Sequence, residues 1–434
     1  MNVEHVCDQL HARLDLDPAP WPDDCLRSFV GYAEDTEIDA LLRDSLRRRR
    51  LAFLRARVPA HLAAADDRSR RACALLLQVL SEAPSVLVEH LLESPALEGW
   101  LCGPPTADSV SALGGFLAAA QLAHPDVTLR WSAGVAPLHL GRVVVTGLGA
   151  GVVDSLDDGS LRVTGDTGVV EIDPTALAHD DTGVTCTGTA VATVLPRTRL
   201  GELVLDGLDP RLRETPLPVE PLRAGEARAQ HWVDLVDAGT ALLESVEPPA
   251  ARQVRRALRV LVPHEQLDGR VYGMRRLEMI SSTAERTVGA FGISLGEEDP
   301  LQIAESLVHE HAHTRLRALL WDRPMHRADN LRYEAPWRRD PRPISGLVQG
   351  IAAFTLVTEF YRAAWQVRCA DAWPGADAPS AASLLSTMNN KREEVLYGIR
   401  QALDADELLS FGRDFLLLSA EVLSRASDQP VSSV

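Results

Sequence analysis

The chain has 434 residues, 46% hydrophobic and 24% charged, enough apolar material for one very large domain or two to three ordinary ones. Its formal net charge of -17 argues against a broad nucleic-acid-binding or acidic-membrane surface, so neither partner is expected. His5, Asp8, His11 and Asp15 interrupt any N-terminal signal pattern, and six scattered cysteines form no C-x-x-C or zinc-finger spacing, so the expectation is a cytoplasmic protein with free thiols.

Residues 1–125 read as an N-terminal helical region. Leu41 to Val58 and Arg71 to Leu92 carry apolar residues at three-and-four spacing, with Pro-rich breaks between such segments. The basic runs Arg47 to Arg50 and Arg68 to Arg71 read as solvated helix faces, with a docking patch for an acidic peptide as the alternative. The longest apolar stretch, Val110 to Ala123, is too short to span a bilayer and contains two glycines. Residues 126–215 form a β-rich module. Val143-Val144-Val145, Leu161-Arg162-Val163 and Val169 to Ile172 are short β-prone runs separated by turns such as Asp157-Asp158-Gly159.

Residues 216–434 form the third region. A helical pattern runs from Ala229 to Val262 with a break at Pro248-Pro249, followed by strand-like runs from Val271 to Ile280 and Val288 to Leu295. Extended backbone around Ser281-Ser282-Thr283 suits either an edge that captures extended peptide or an ordinary core hairpin. Asp299-Pro300-Leu301-Gln302 then supplies an N-cap, a first-turn proline and a Gln. Ile303 to Trp321 has neither Gly nor Pro and repeats apolar residues at helical spacing. A polar loop, Asp322 to Pro343, precedes a helix from about Gly346 to Gln366, and two more helices are expected over about 380–403 and 405–427. The expected class is α+β: mostly helical, with a metallopeptidase-like motif helix packed on further helices and a small sheet, and a separate small β-rich region.

Inside the motif helix stands His309-Glu310-His311-Ala312-His313, an H-E-x-x-H pattern. Residues four apart share a helix face, so His309 and His313 can direct two imidazoles at one divalent metal. Glu310, about 100° away around the helix, can reach a group bound to that metal without being a ligand. His311 projects elsewhere and reads as packing or as support behind the ligands rather than as a ligand. A catalytic site needs a third ligand and open positions. The next helix offers Glu359 and Gln349, and the loop offers His326. A carboxylate is the better ligand for Zn2+ or Fe2+, which favours Glu359. The metzincin continuation is excluded, because Leu316 and Leu319 stand where Gly and the third His are required. Lys391 is the only lysine among 44 basic residues and reads as genomic coding bias.

Three runs carry a family resemblance: Ala304 to His313, Tyr333-Glu334-Ala335-Pro336-Trp337-Arg338-Arg339-Asp340-Pro341-Arg342-Pro343, and Gly346-Leu347-Val348-Gln349-Gly350. Together they resemble the H-E-x-x-H peptide-modification proteins of bacterial ribosomal-peptide natural-product clusters, described as iron(II)- and 2-oxoglutarate-dependent peptide β-hydroxylases. The resemblance covers roughly residues 235–370. It implies iron(II) on His309 and His313, 2-oxoglutarate as co-substrate, and a ribosomally made precursor peptide as partner. It also implies that Arg342 and Arg338 hold the oxo-acid dianion. Members of that group can carry a His where this chain has Gln349, in which case either Glu359 substitutes or the site is weakened. Two other readings stay open: a zinc peptidase of the gluzincin type with Glu310 as general base, and an inactive peptide-binding scaffold.

Overall fold

The computed structural model describes residues 3–17, 21–22, 25–32, 36–65, 67–103, 112–124, 127, 132–135, 138–148, 151–156, 158–198, 203–212, 218–265, 280–283, 286–294, 299–327, 331–338, 340–374 and 378–425. Seven helices come first: α1 (Val3–Arg13), α2 (Cys25–Val30), α3 (Thr36–Ala64), α4 (Asp67–Glu82), α5 (Ser85–Glu93), α6 (Pro95–Cys102) and α7 (Ala112–Ala123). The run expected as one helix over 71–92 is two. Pro84 N-caps α5 in an extended conformation and cannot continue the α4 ladder. The apolar stretch before 124 is α7, buried along most of its length.

The β-rich region holds β1 (Ser132–Val135), β2 (Leu138–Leu140), β3 (Val143–Thr146), β4 (Gly151–Ser155), β5 (Leu161–Gly165), β6 (Gly168–Ile172), the short helix α8 (Pro174–Asp180), β7 (Val184–Gly188) and β8 (Val191–Val194). Its strands form two antiparallel sheets, ordered β1-β4-β5-β6-β7 and β2-β3-β8. Period-two alternation is visible in β5, where Leu161 and Val163 are buried while Arg162 and Thr164 face water.

Next come β9 (Val204–Leu205), α9 (Ala227–Val246), α10 (Pro248–Ala257), β10 (Val260–His264), β11 (Ile280–Thr283), β12 (Ala290–Ser294), α11 (Pro300–Asp322), α12 (Ile344–Cys369), α13 (Ala381–Leu403) and α14 (Ser410–Arg425). The expected helix over 229–262 breaks at its double proline and ends earlier. Val260-Leu261-Val262, with two β-branched valines, instead enters a sheet ordered β11-β12-β10-β9, with β10 parallel to β9 and β12. All five residues of β12 are buried, as befits a strand covered on both faces. β11 runs antiparallel to β12 from Ile280↔Ser294 to Thr283↔Phe291 and, among the described residues, is one of the two outer strands of this sheet. Most of the strand expected over 271–280 lies outside the described residues.

One hydrophobic cluster joins α1 and the α3–α7 helices to β2–β6. A second packs α9 and α10 with β10 and β12 against α11, α12 and α13. A third seats Trp21 to Leu42 on the C-terminal helices, where Phe29 meets Phe415 with ring centroids 6.1 Å apart. Polar ties reinforce this seat: Tyr32 Oη donates to Leu356 O at 2.6 Å and Ser45 Oγ to Ala318 O at 2.7 Å.

Arg47 to Arg50 is not a solvated face. Arg48 pairs with Asp322, Arg49 and Arg50 both bind the fully buried Glu98, and Arg47 binds Glu89 and Glu93. At four consecutive positions these side chains leave α3 in all directions, so some must enter the interior, where each takes a carboxylate with it. Arg70 and Arg71, in contrast, are exposed. Among the described residues Cys7, Cys25, Cys102, Cys186 and Cys369 form no disulfide. By length and composition α12 alone among the described helices is apolar enough to cross a membrane, and 72% of its apolar window is buried against the rest of the protein.

Candidate metal centre on the motif helix

The motif helix starts where the sequence places it. Asp299 caps α11, its side chain accepting from Leu301 N at 2.9 Å, and Pro300 occupies the first turn. The helix is packed on two opposite sides. Glu305, His309 and His313, spaced by four, face α12 and α13; His311, Thr314, Arg315 and Ala318 face α3 and α10.

On the first side the two imidazoles converge. Their Nε2 atoms are 3.1 Å apart, with ring centroids at 4.7 Å and planes at 78°. Two nitrogens sharing one ion at about 2.1 Å, at an angle of about 90–110°, would be about 3.0–3.4 Å apart. Both rings are half-buried, whereas Glu310 is buried. Burial pulls the His309 pKa below the ordinary value, against the opposing pull of Glu310 and Glu305. His313 is held well below it by burial, then by His309 and Arg317. Neutral imidazoles with free lone pairs are the form that binds metal. Positions, distance, protonation and the adjoining carboxylate therefore fit a divalent ion.

The surroundings are aromatic and charged. The Phe354 ring lies 4.9 Å from that of His309, and Trp337 lies 5.3 Å from Phe354. Lys391 Nζ stands 5.3 Å from the Phe354 centroid and donates to Glu305 at 2.6 Å. Glu305 also accepts from Tyr361 Oη at 2.6 Å. Burial and then Glu305 push the Tyr361 phenol well above its ordinary range, so it stays a donor.

Of the predicted residues, the structure brings the His309 and His313 rings together; Glu310 acts on His309 by charge, and among the described residues no third His, Cys, Asp or Glu ligand atom lies within 4.8 Å of both. Glu359 accepts from Arg362 through Oε2, at 3.0 and 3.1 Å, and its charge acts on Tyr32 and Glu247. The physical reason is helix phase. Phe354 is the α12 residue that meets His309, and five residues rotate Glu359 by about 140° from it. Gln349 lies five residues before Phe354, half-buried. His326 bonds through Nδ1 to Arg327 O at 2.9 Å and bridges to Leu408 beyond the end of α11. Arg338 and Arg342 both pair with Asp340, at 3.2 and 3.4 Å. Among the described residues the one group of three metal-ligand types within 4.8 Å is elsewhere, at His139, Asp206 and Asp209. There Arg211 already holds Asp209 through contacts of 2.7 and 2.8 Å, while burial and then Asp209 raise Asp206 to about 6.

A scan against protein-family models finds no match to this chain, and a search of curated proteins finds none either.

Sequence reasoning missed Glu305, Phe354, Tyr361 and Lys391. Two signals were available. Glu305 precedes His309 by one turn on the same face, and Lys391 is the single lysine of the chain. Trp337 earns its place through two glycines. A Cβ on Gly350 would sit 2.4 Å from Trp337 Cζ2, and one on Gly398 would sit 2.8 Å from its Cη2. Gly350→Ala is therefore expected to cost about 1–3 kcal/mol by overpacking. It should also displace Trp337 from Phe354, read as a lower urea midpoint together with a red-shifted, weaker tryptophan emission.

Stability should fall in mild acid. His311 is buried and its pKa lies well below the ordinary 6.5, through burial and then Arg315. Above about pH 6.5 neither the folded nor the unfolded chain carries this proton, and the contribution is intact. Below it the unfolded chain binds a proton that the folded chain refuses, costing about 1.4 kcal/mol per pH unit for this one group. The slope of unfolding free energy between about pH 7 and pH 5.5 should flatten by about one proton in His311→Asn. An unchanged slope would place the acid sensitivity elsewhere.

Proposed function

We propose that the chain is a metal-dependent peptide-modifying enzyme: an iron(II)- and 2-oxoglutarate-dependent hydroxylase of a side-chain β-carbon in a ribosomally made precursor peptide. The observation that carries this reading is the pair of imidazoles whose Nε2 atoms stand 3.1 Å apart on one face of a rigid buried helix. His309 and His313 would hold the metal. With iron(II), 2-oxoglutarate and dioxygen bound, the centre would supply the oxidation that replaces a C–H by a C–OH, one oxygen atom of dioxygen entering the hydroxyl and the other the succinate that leaves with carbon dioxide.

The chain's own residues support the remaining roles. Phe354 and Trp337 wall one side of the imidazole pair with apolar surface and so exclude water there. Lys391 acts on His309 by charge and is half-buried, a point charge suited to a carboxylate of the oxo acid once its pairing with Glu305 opens. The resemblance gives that part to Arg342 and Arg338, whose pairing with Asp340 would have to open. β11, an outer strand of its sheet among the described residues, packs against α11, so a peptide added along its edge would run beside the motif helix.

The test is mass spectrometry of a precursor peptide co-expressed with the protein, with 2-oxoglutarate consumption followed in parallel. Gain of one oxygen with matching succinate supports hydroxylation. Backbone cleavage without succinate would replace this reading by the zinc peptidase, with Glu310 as base. An unmodified peptide that nevertheless co-purifies would make the chain a binding scaffold.

A further inference from the structure

The face of α11 opposite the imidazole pair lines a cleft of about 60 Å³, room for several waters or one small oxyanion. His311, Thr314 and Arg315 project into it from α11, Arg43 and Arg50 from α3, and Arg256 and Arg259 from the end of α10 and just beyond. Its acidic lining residues are Asp39 and Glu93. Asp39 pairs with Arg256 at 2.7 Å, and Glu93 is shared by Arg47 and Arg259. Arg50 is spent on Glu98, and Arg315 on Gln253 Oε1 at 3.1 Å and the Phe29 ring. Arg43 is different: half-buried, it has no ion pair or hydrogen bond among the described residues. In a protein of net charge -17, this concave surface is locally cationic.

Two buried polar side chains on the cleft wall lack partners. Neither ring nitrogen of His311, which is 1% exposed, has a hydrogen-bond partner among the described residues, and neither does Thr314 Oγ1 at 2% exposure. The threonine is telling. Buried hydroxyls elsewhere in these helices satisfy themselves on the carbonyl four residues back: Thr240 on Val236, Thr355 on Ile351, Ser419 on Phe415. Thr314 does not take that bond. Leaving a buried donor unmade costs about 1–3 kcal/mol, so such groups commonly meet a ligand or water.

We propose that this cleft is a second binding site, separate from the metal centre, for a small molecule bearing an oxyanion, a carboxylate or a phosphate. Arg43 supplies the unspent charge, with Arg256 and Arg259 at the rim. Thr314 Oγ1 and one His311 nitrogen donate to the anion's oxygens, and Leu42, Leu46 and Ala318 accommodate an apolar part. The site shares one helix with His309 and His313, on its other side, so its ligand does not touch the metal ligands.

The test is isothermal titration of the full chain with inorganic phosphate and, separately, with glutarate at about 0.15 M salt, where weak surface attraction is screened. Saturable binding of at least one anion is expected, weakened about tenfold by Arg43→Gln or by the isosteric Thr314→Val, and unchanged in His309→Ala. Binding of phosphate alone or of glutarate alone would identify the anion class. No heat with either anion, binding indifferent to both variants, or binding lost in His309→Ala would overturn the proposal. Because the His309 variant is included, failure of the metal reading is distinguishable from failure of this one.

Discussion

His309→Ala and His313→Ala should each strip the protein of its divalent metal, lowering affinity more than about a hundredfold, because even indirect partners of metal ligands are commonly worth 10–100-fold. Each removes one of two converging nitrogens, and the remaining imidazole cannot chelate alone. The fold should survive, since the rings are half-buried and neutral and no ion pair depends on them. A loss of about 1–2 kcal/mol in unfolding free energy is expected from the hole left beside Phe354. Elemental analysis after dialysis and urea denaturation read the two effects separately. Metal retained at wild-type stoichiometry in both variants would mean that these residues are not the ligands.

Glu98→Ala should be among the most destabilising single changes in the chain. Its carboxylate is 0% exposed and receives Arg49 at 2.7 Å and Arg50 at 3.1 Å. Arg50 is itself buried and also donates to Leu92 O and Val288 O, tying α3 to α5 and to the residue just ahead of β12. Burial already pulls the Arg50 pKa down, with Glu98 opposing it. Removing the carboxylate leaves a charge stranded in the interior, which costs about 3–5 kcal/mol. The exposed pair Arg425–Glu421 provides the contrast, and Glu421→Ala should leave the urea midpoint close to that of the unmodified protein. Urea midpoints of the two variants should differ accordingly, and equal midpoints would mean that the Glu98 site relaxes to admit water.

Much of the architecture was legible where local rules decide it. Asp299-Pro300 and a long stretch free of Gly and Pro delimit the motif helix, and alternation in Leu161 to Val163 marks a strand half open to water. The strand at Val260 was masked by the helical pattern running into it, because a short apolar run fits either state until its sheet partners are known. The metal pair was legible because spacing four on a helix is a local fact. What surrounds the pair was not, since the phase of one helix against another is set by tertiary packing. Glu359 is the example. Its residue type suited a ligand, yet packing turns Phe354 toward His309 and leaves Glu359 to Arg362. Arg47 to Arg50 fails for a related reason. Charge alone suggests solvent, while burial of α3 on both sides forces two of the four inward. His311 reads as packing in the sequence, and only the cleft on its side of α11 gives its ring nitrogens something to meet.

The central claim is that His309 and His313 grip one ion together. Anomalous diffraction at the metal edge, from crystals grown with iron(II) or its manganese(II) surrogate, tests it most directly. The expected result is a single strong peak about 2.0–2.2 Å from Nε2 of both residues. A peak only at His139, Asp206 and Asp209, or imidazoles still in mutual contact with no peak beside them, would contradict it.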